Sequence, residues 1–185
     1  MVNSKVLHFA DIWENVSDII PDDIAVISGS DKKTWKEYEN TAAKIASFLN
    51  DQGIKENSKV GLYLHNGNEY LESQFASFKL MGVPINVNYR YQAKELIYLL
   101  DNSDSEAVVF QGCYSDQVKL IAKELPKIKT WIQVEDGKTE LLDFAYSYND
   151  IVSKSLAMPR IERNENNILM IYTGGTTGMP KGVMY

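Results

Sequence analysis

The chain has 185 residues, of which 44% are hydrophobic, 11% aromatic and 24% charged. This is the size of one ordinary globular domain or somewhat more, and it excludes disordered, collagen-like and disulfide-stapled classes. Nineteen basic residues against 25 acidic ones give a formal charge of −6, which argues against a nucleic-acid footprint. No run of 18 apolar residues occurs, so no transmembrane segment is expected. One cysteine, Cys113, cannot form an internal disulfide, which fits a reducing, cytoplasmic setting. Two histidines and one cysteine are too few for a structural zinc site.

Residues 1–20 read as a lead segment without a signal-peptide pattern, and His8 within it carries no functional signal. Residues 24–28 (IAVIS) predict a strand, and Gly29-Ser30-Asp31 a turn into a second short strand near Lys33. Thr34 and Glu37 have capping-box spacing, and Tyr38, Ala42, Ile45, Ala46 and Leu49 follow with helical periodicity to a stop at Gly53. A strand over 60–64 leads to a helix over 68–81 with Leu71, Phe75, Phe78 and Met81 on its apolar face, ended by Gly82 and Pro84. The pattern then repeats: strand 84–87, helix 93–101, strand 107–110, helix 115–125, strand 130–134 and a turn at Glu135-Asp136-Gly137. A short helix over 147–154 is signalled by Ser147 and Asp150. A polar approach over 164–167 ends in an apolar run, 168–172. Strands alternating with helices predict an α/β fold, a layered and largely parallel sheet with flanking helices. The expected organisation is a lead segment (1–20), an α/β subdomain (21–165), and a strand with a glycine-rich loop (166–185) that begins the next part.

That last segment, residues 172–185, reads YTGGTTGMPKGVMY. Thr173 to Gly178 contains three glycines and three threonines. Glycines let backbone N–H groups converge on an anion, threonines add hydroxyl donors, and Lys181 adds a compact positive charge. Phosphate binding is the chemistry that suits this composition; a simple hairpin turn is the alternative. It is not the common P-loop, because the order Gly-Met-Pro-Lys-Gly does not place the lysine at the start of a helix.

Residues 172–184 resemble the phosphate-binding signature YTSGTTGxPKGV of the adenylate-forming superfamily, with Gly174 in place of the usual serine and one hydroxyl fewer. Residues 22–100 resemble the N-terminal region of the same enzymes, and VNYRYQAKELIYLL is similar to acyl-CoA synthetases acting on fatty or other bulky acids. The resemblance implies that Thr173, Gly174, Gly175, Thr176, Thr177 and Gly178 enclose the β- and γ-phosphates of ATP, while Lys181 neutralises departing pyrophosphate. It implies ATP, Mg²⁺ and coenzyme A as cofactor and co-substrates of a carboxylic acid:CoA ligase working through an acyl-AMP. The family's adenine, ribose and metal-binding segments and its catalytic lysine lie beyond the motif, so neither a catalytic residue nor a metal ligand maps onto this chain. The chain thus reads as the opening third of a larger enzyme. Two or three charge-assisted hydrogen bonds, roughly 1.5–3 kcal/mol each, total about 3–9 kcal/mol, against association costs of about 4–15 kcal/mol. The 185 residues alone are expected to bind ATP weakly and to be inactive. An adenylation domain loading a carrier protein and a non-catalytic α/β interaction module are the alternatives. The acid and the oligomeric state are not encoded legibly.

Other polar residues carry weaker signals. His65 reads as a loop histidine with a satisfied ring, Cys113 as an incidental thiol, and Arg90, between Tyr89 and Tyr91, as a surface or stacking residue. The acidic pairs Asp22-Asp23 and Glu135-Asp136 read as solvated turns.

Overall fold

Short β-branched runs alternating with capped helices fold here into a layered sheet. The computed structural model describes residues 8–164, 168–173 and 179–184. In chain order the elements are α1 (Phe9–Ile19), β1 (Ile24–Ser28), β2 (Asp31–Thr34), α2 (Trp35–Asp51), β3 (Lys59–Tyr63), α3 (Asn68–Lys79), β4 (Val83–Asn86), α4 (Ala93–Asn102), β5 (Ser105–Gln111), α5 (Ser115–Ile121), β6 (Thr130–Val134), β7 (Ala145–Ser147), α6 (Tyr148–Lys154), β8 (Met170–Thr173) and β9 (Lys181–Met184). β1 and β2 form a separate antiparallel hairpin. The other strands make one sheet in the order β7-β6-β5-β3-β4-β8-β9. Its neighbours run parallel, except that β8 and β9 are antiparallel.

The two-residue period of the central strands divides their side chains between two cores. Val60 and Leu62 of β3, Ala107 and Val109 of β5, and Ile132 and Val134 of β6 meet Ile45, Leu49, Phe75 and Ile151 from α2, α3 and α6. The intervening Tyr63, Val108, Phe110 and Trp131 meet Leu96, Leu99 and Leu100 of α4 and Val118 and Ile121 of α5. Gly61 permits the close seating of α4: a Cβ there would lie 2.9 Å from Leu100 Cδ2. Among the described residues no helix is long and apolar enough to cross a membrane.

Helix ends follow local chemistry. At α2, the Thr34 N–H donates to Glu37 Oε2 at 2.9 Å, and the Glu37 N–H donates to Thr34 Oγ1 at 3.3 Å, the reciprocal box that the spacing predicts. The end of α3 differs from expectation. Met81, not Gly82, takes the left-handed conformation (φ 57°). Its N–H donates to the Phe78 carbonyl, and the Gly82 N–H to that of Ser77, both at 2.9 Å, which closes a Schellman turn. Gly82 is needed for space instead: a Cβ would lie 3.1 Å from the carbonyl oxygens of Ser58 and Ser77.

The lead segment forms α1, capped by His8, whose Nδ1 accepts from the Ala10 N–H at 3.1 Å. Trp13 meets the Phe75 ring edge-on, with centroids 5.0 Å apart. Glu14 joins a buried ionic cluster. It accepts from Lys79 Nζ at 2.7 Å and from Arg163 at 2.8 and 2.9 Å. Lys79 also reaches Glu39 at 2.6 Å, and Arg163 reaches Asp11 at 2.6 Å. The Lys79 and Arg163 side chains are 2% and 1% exposed, so each cation relies on these carboxylates in place of water. Arg160 adds a two-point pair with Asp18 at 2.7 and 2.9 Å. The segment before β8 is thereby tied across α1 and α3.

Candidate phosphate-binding site

β8 runs parallel to β4, so its C-terminal end lies at the sheet edge where β3, β4 and β5 also end. Ligands of open α/β sheets sit at that edge. Among the residues expected to hold phosphate, Thr173 is the last of β8 and Lys181 the first of β9; they are register partners across the antiparallel pair, and both are exposed. Gly174, Gly175, Thr176, Thr177 and Gly178 lie outside the described residues. The hairpin stem therefore brings the first threonine and the lysine side by side at the mouth of the segment between them. Among the described residues none forms an ion pair with Lys181.

The stem is held by residues that the sequence did not single out. Tyr172 is 6% exposed. Its N–H donates to Asn86 Oδ1 at 2.9 Å, and its carbonyl accepts from Asn86 Nδ2 at 3.2 Å. Its hydroxyl donates to Asn102 Oδ1 at 2.8 Å. Its ring lies under Gly182, where a Cβ would come within 2.9 Å of Tyr172 Cζ. Burial raises the pKa of the Tyr172 phenol, which keeps it a neutral donor. The signal for Asn86 was available in part: an asparagine ending an otherwise apolar strand, VPIN, is a poor strand former and calls for a partner. That its partner is Tyr172, 86 positions away, was not readable.

Aromatic side chains occupy the loops after β3, β4 and β5 on the same edge. Tyr63 and Tyr114 stack at 4.5 Å, and His65 meets Tyr89 edge-on at 5.0 Å. His65 Nε2 and the Tyr114 hydroxyl share a hydrogen bond, the satisfied ring that was expected. Burial, with smaller contributions from Tyr114 and Cys113, pushes the Tyr63 phenol up to about 12. Arg90 lies over the Tyr89 ring at 5.6 Å. Cys113 is exposed, and desolvation, followed by the nearby Asp136 charge, raises its thiol pKa, the opposite of an activated nucleophile.

Of the acidic pairs, Asp136 behaves as a turn residue, accepting from the Lys138 and Thr139 N–H groups at 2.9 and 2.8 Å. Glu135 does not match the expectation of a solvated carboxylate. It accepts from the Ser147 hydroxyl and, at 3.2 Å, from the Asn149 N–H, and so braces the start of α6. Among the described residues no cluster of His, Cys, Asp and Glu could hold a metal ion. The described part of the site thus supplies no carboxylate cage for Mg²⁺.

Comparison with known proteins adds to this geometry. A family model described as AMP-binding enzyme matches residues 14–185. A medium/long-chain-fatty-acid–CoA/3-oxocholest-4-en-26-oate–CoA ligase of Mycolicibacterium smegmatis is 41% identical over 182 residues, covering 97% of this chain and 33% of its own length. A 3-oxocholest-4-en-26-oate–CoA ligase of Rhodococcus rhodochrous is 39% identical, with the same two coverages. Among solved structures, the anthranilate CoA ligase AuaEII in complex with anthranoyl-AMP superposes with a TM-score of 0.89 at 20% identity, over 97% of this chain and 35% of that one. This last likeness is one of fold. The chain spans about a third of the length of the curated relatives it matches.

Proposed function

Because the chain belongs to the AMP-binding enzyme family, we propose that it supplies the N-terminal third of an ATP-dependent carboxylic acid:CoA ligase. One observation carries this reading: the β8–β9 hairpin sets Thr173 and Lys181 beside each other at the ligand-bearing edge of the sheet, flanking a Gly/Thr run. The relatives named for fatty-acid and steroid-acid ligases support a medium- or long-chain or steroid-derived acid as substrate. We assign the enzyme to the cytoplasm.

In the proposed reaction a substrate carboxylate oxygen attacks the α-phosphorus of ATP. The bond from that phosphorus to the bridging oxygen breaks, and pyrophosphate leaves with the electron pair. The N–H groups and hydroxyls of 173–178 hold the β- and γ-phosphates, and the Lys181 ammonium offsets the charge that builds on the leaving group. A threonine hydroxyl of the 173–178 run would help to hold Mg²⁺, which would screen the same charge. In the second half-reaction the coenzyme A thiol gives up its proton, its sulfur attacks the acyl carbonyl, and AMP departs. The groups that carry this second step are assigned to the rest of the enzyme, and the 185 residues alone are expected to be inactive.

The test is acid-dependent exchange of labelled pyrophosphate into ATP by the whole protein, across a panel of carboxylic acids, followed by a thiol-acceptor assay. Exchange with medium- to long-chain or steroid acids and transfer to coenzyme A are expected. Absence of exchange with every acid would overturn the reading. Transfer only to a carrier protein would replace coenzyme A as acceptor.

A further inference from the structure

We propose that Asn86 is a positioning residue for the phosphate loop: its side-chain amide takes the place of a strand neighbour and sets where β8 ends and the loop begins. The inference rests on the ligase reading for its catalytic consequence and on geometry alone for the clamp. β4 and β8 share a single register pair, Ile85 with Met170. Past that pair, no backbone ladder holds β8 to β4. Tyr172, the residue before Thr173, instead has both of its main-chain groups bound by one amide, at 2.9 and 3.2 Å. An amide presents one donor and one acceptor in a plane, which reproduces what a neighbouring strand residue would offer.

The Tyr172 ring is packed in the second core, but on the β4 side the junction is open. A cavity of about 310 Å³ lies beside the junction, lined by Tyr70, Gln74, Pro84, Asn86, Leu169 and Met170 among others. On that side the directional hydrogen bonds of Asn86 are the contacts that the structure shows to the Tyr172 main chain. On the other side the Tyr172 ring carries Gly182, the residue after Lys181. A displacement of Tyr172 is therefore transmitted to both ends of the loop, Thr173 directly and Lys181 through Gly182. Neither Asn86 nor Tyr172 touches the nucleotide in this scheme; Asn86 acts through the loop.

Two measurements test the proposal. In the whole protein, Asn86→Ala is expected to raise amide exchange at Tyr172 about tenfold, the loss of one to two hydrogen bonds, while exchange in β3 and β5 stays unchanged. In the whole ligase, the same substitution is expected to raise KM for ATP about tenfold, leaving KM for the acid and thioester formation from supplied acyl-AMP within about twofold. Asn102→Ala, which frees only the Tyr172 hydroxyl, is expected to change KM for ATP less than Asn86→Ala does. Unchanged Tyr172 exchange in Asn86→Ala overturns the clamp. Faster exchange with unaltered ATP kinetics overturns the positioning role. A fall in melting temperature with all kinetic constants scaled together does the same, because it marks a residue that is merely structural. A wild-type protein with no acid-dependent pyrophosphate exchange would sink the ligase reading instead, and the clamp would still be decided by Tyr172 exchange.

Discussion

The left and right halves of the sheet are held together by different physics. β5, β3 and β6 are covered on both faces, and their alternating side chains fill two apolar cores. The β8–β9 hairpin has β9 exposed along its whole length and meets β4 through one register pair, an asparagine amide and a tyrosine. Apolar burial tolerates small shifts but collapses when volume is lost. Hydrogen-bond clamps contribute little to global stability but fix direction. The half of the sheet that carries Thr173 and Lys181, the residues proposed to meet phosphate, is thus expected to be the half that can be altered without unfolding the other.

Four substitutions probe this contrast. The largest effect is expected in the covered half. Phe75 is fully buried, with Trp13 edge-on at 5.0 Å and Tyr38 at 5.1 Å. Phe75→Ala should cost about 3–5 kcal/mol by urea denaturation, and a loss below about 1 kcal/mol would show that the core is not tightly packed. Next comes the ionic cluster that ties the segment before β8 to α1 and α3. Burial alone would raise the Glu14 pKa, but hydrogen bonds from Arg163 and Lys79 outweigh it and hold the carboxyl below its ordinary 4.5. A depressed folded-state pKa gives stability that is complete above the unfolded value and is lost as pH falls through the folded one. The urea midpoint should therefore fall as pH is lowered below about 4.5, and Arg163→Met should flatten that dependence; parallel curves for the two proteins would refute the assignment.

Effects on stability should be smaller at the hairpin. Gly182→Ala drives a methyl against the Tyr172 ring, an overpacking worth about 1–3 kcal/mol if the ring cannot move. Because β9 is an edge strand with open space around it, the lower end of that range is expected by thermal melting, with ATP-dependent exchange falling more steeply than stability. Lys181→Ala should leave stability within about 0.5 kcal/mol. In the whole enzyme it should slow adenylation and spare thioester formation from supplied acyl-AMP. Equal losses in both half-reactions would contradict the role given to its ammonium.

Much of this contrast could be read in advance, and the reasons differ by residue. The Thr34–Glu37 box, the periodicity of Ile45, Ala46 and Leu49, and the strand–helix alternation are local signals, and they produced the layered sheet. The composition of 173–181 suggests an anion site for the same reason; the stem pairs Thr173 with Lys181, and 174–178 lie outside the described residues. What escaped notice depended on distant partners. α1 is not legible within the lead segment, because Glu14 reads as a solvent-facing charge until Lys79 and Arg163 close over it. β7 has three residues, too few to show a period. Met81 makes the left-handed turn after α3, while crowding by Ser58 and Ser77 is what requires glycine at 82. Asn86 escaped because Tyr172 completes its hydrogen bonds.

The register pair between Ile85 and Met170 also has a kinetic consequence. β8 and β9 are joined by a short connection and can pair with each other quickly, but their seat on β4 closes a span of more than eighty residues. The entropy of such a closure must be met before the junction returns any stabilisation. On this argument the β8–β9 hairpin docks late, and the second core is completed only when Tyr172 of β8 takes its place in it.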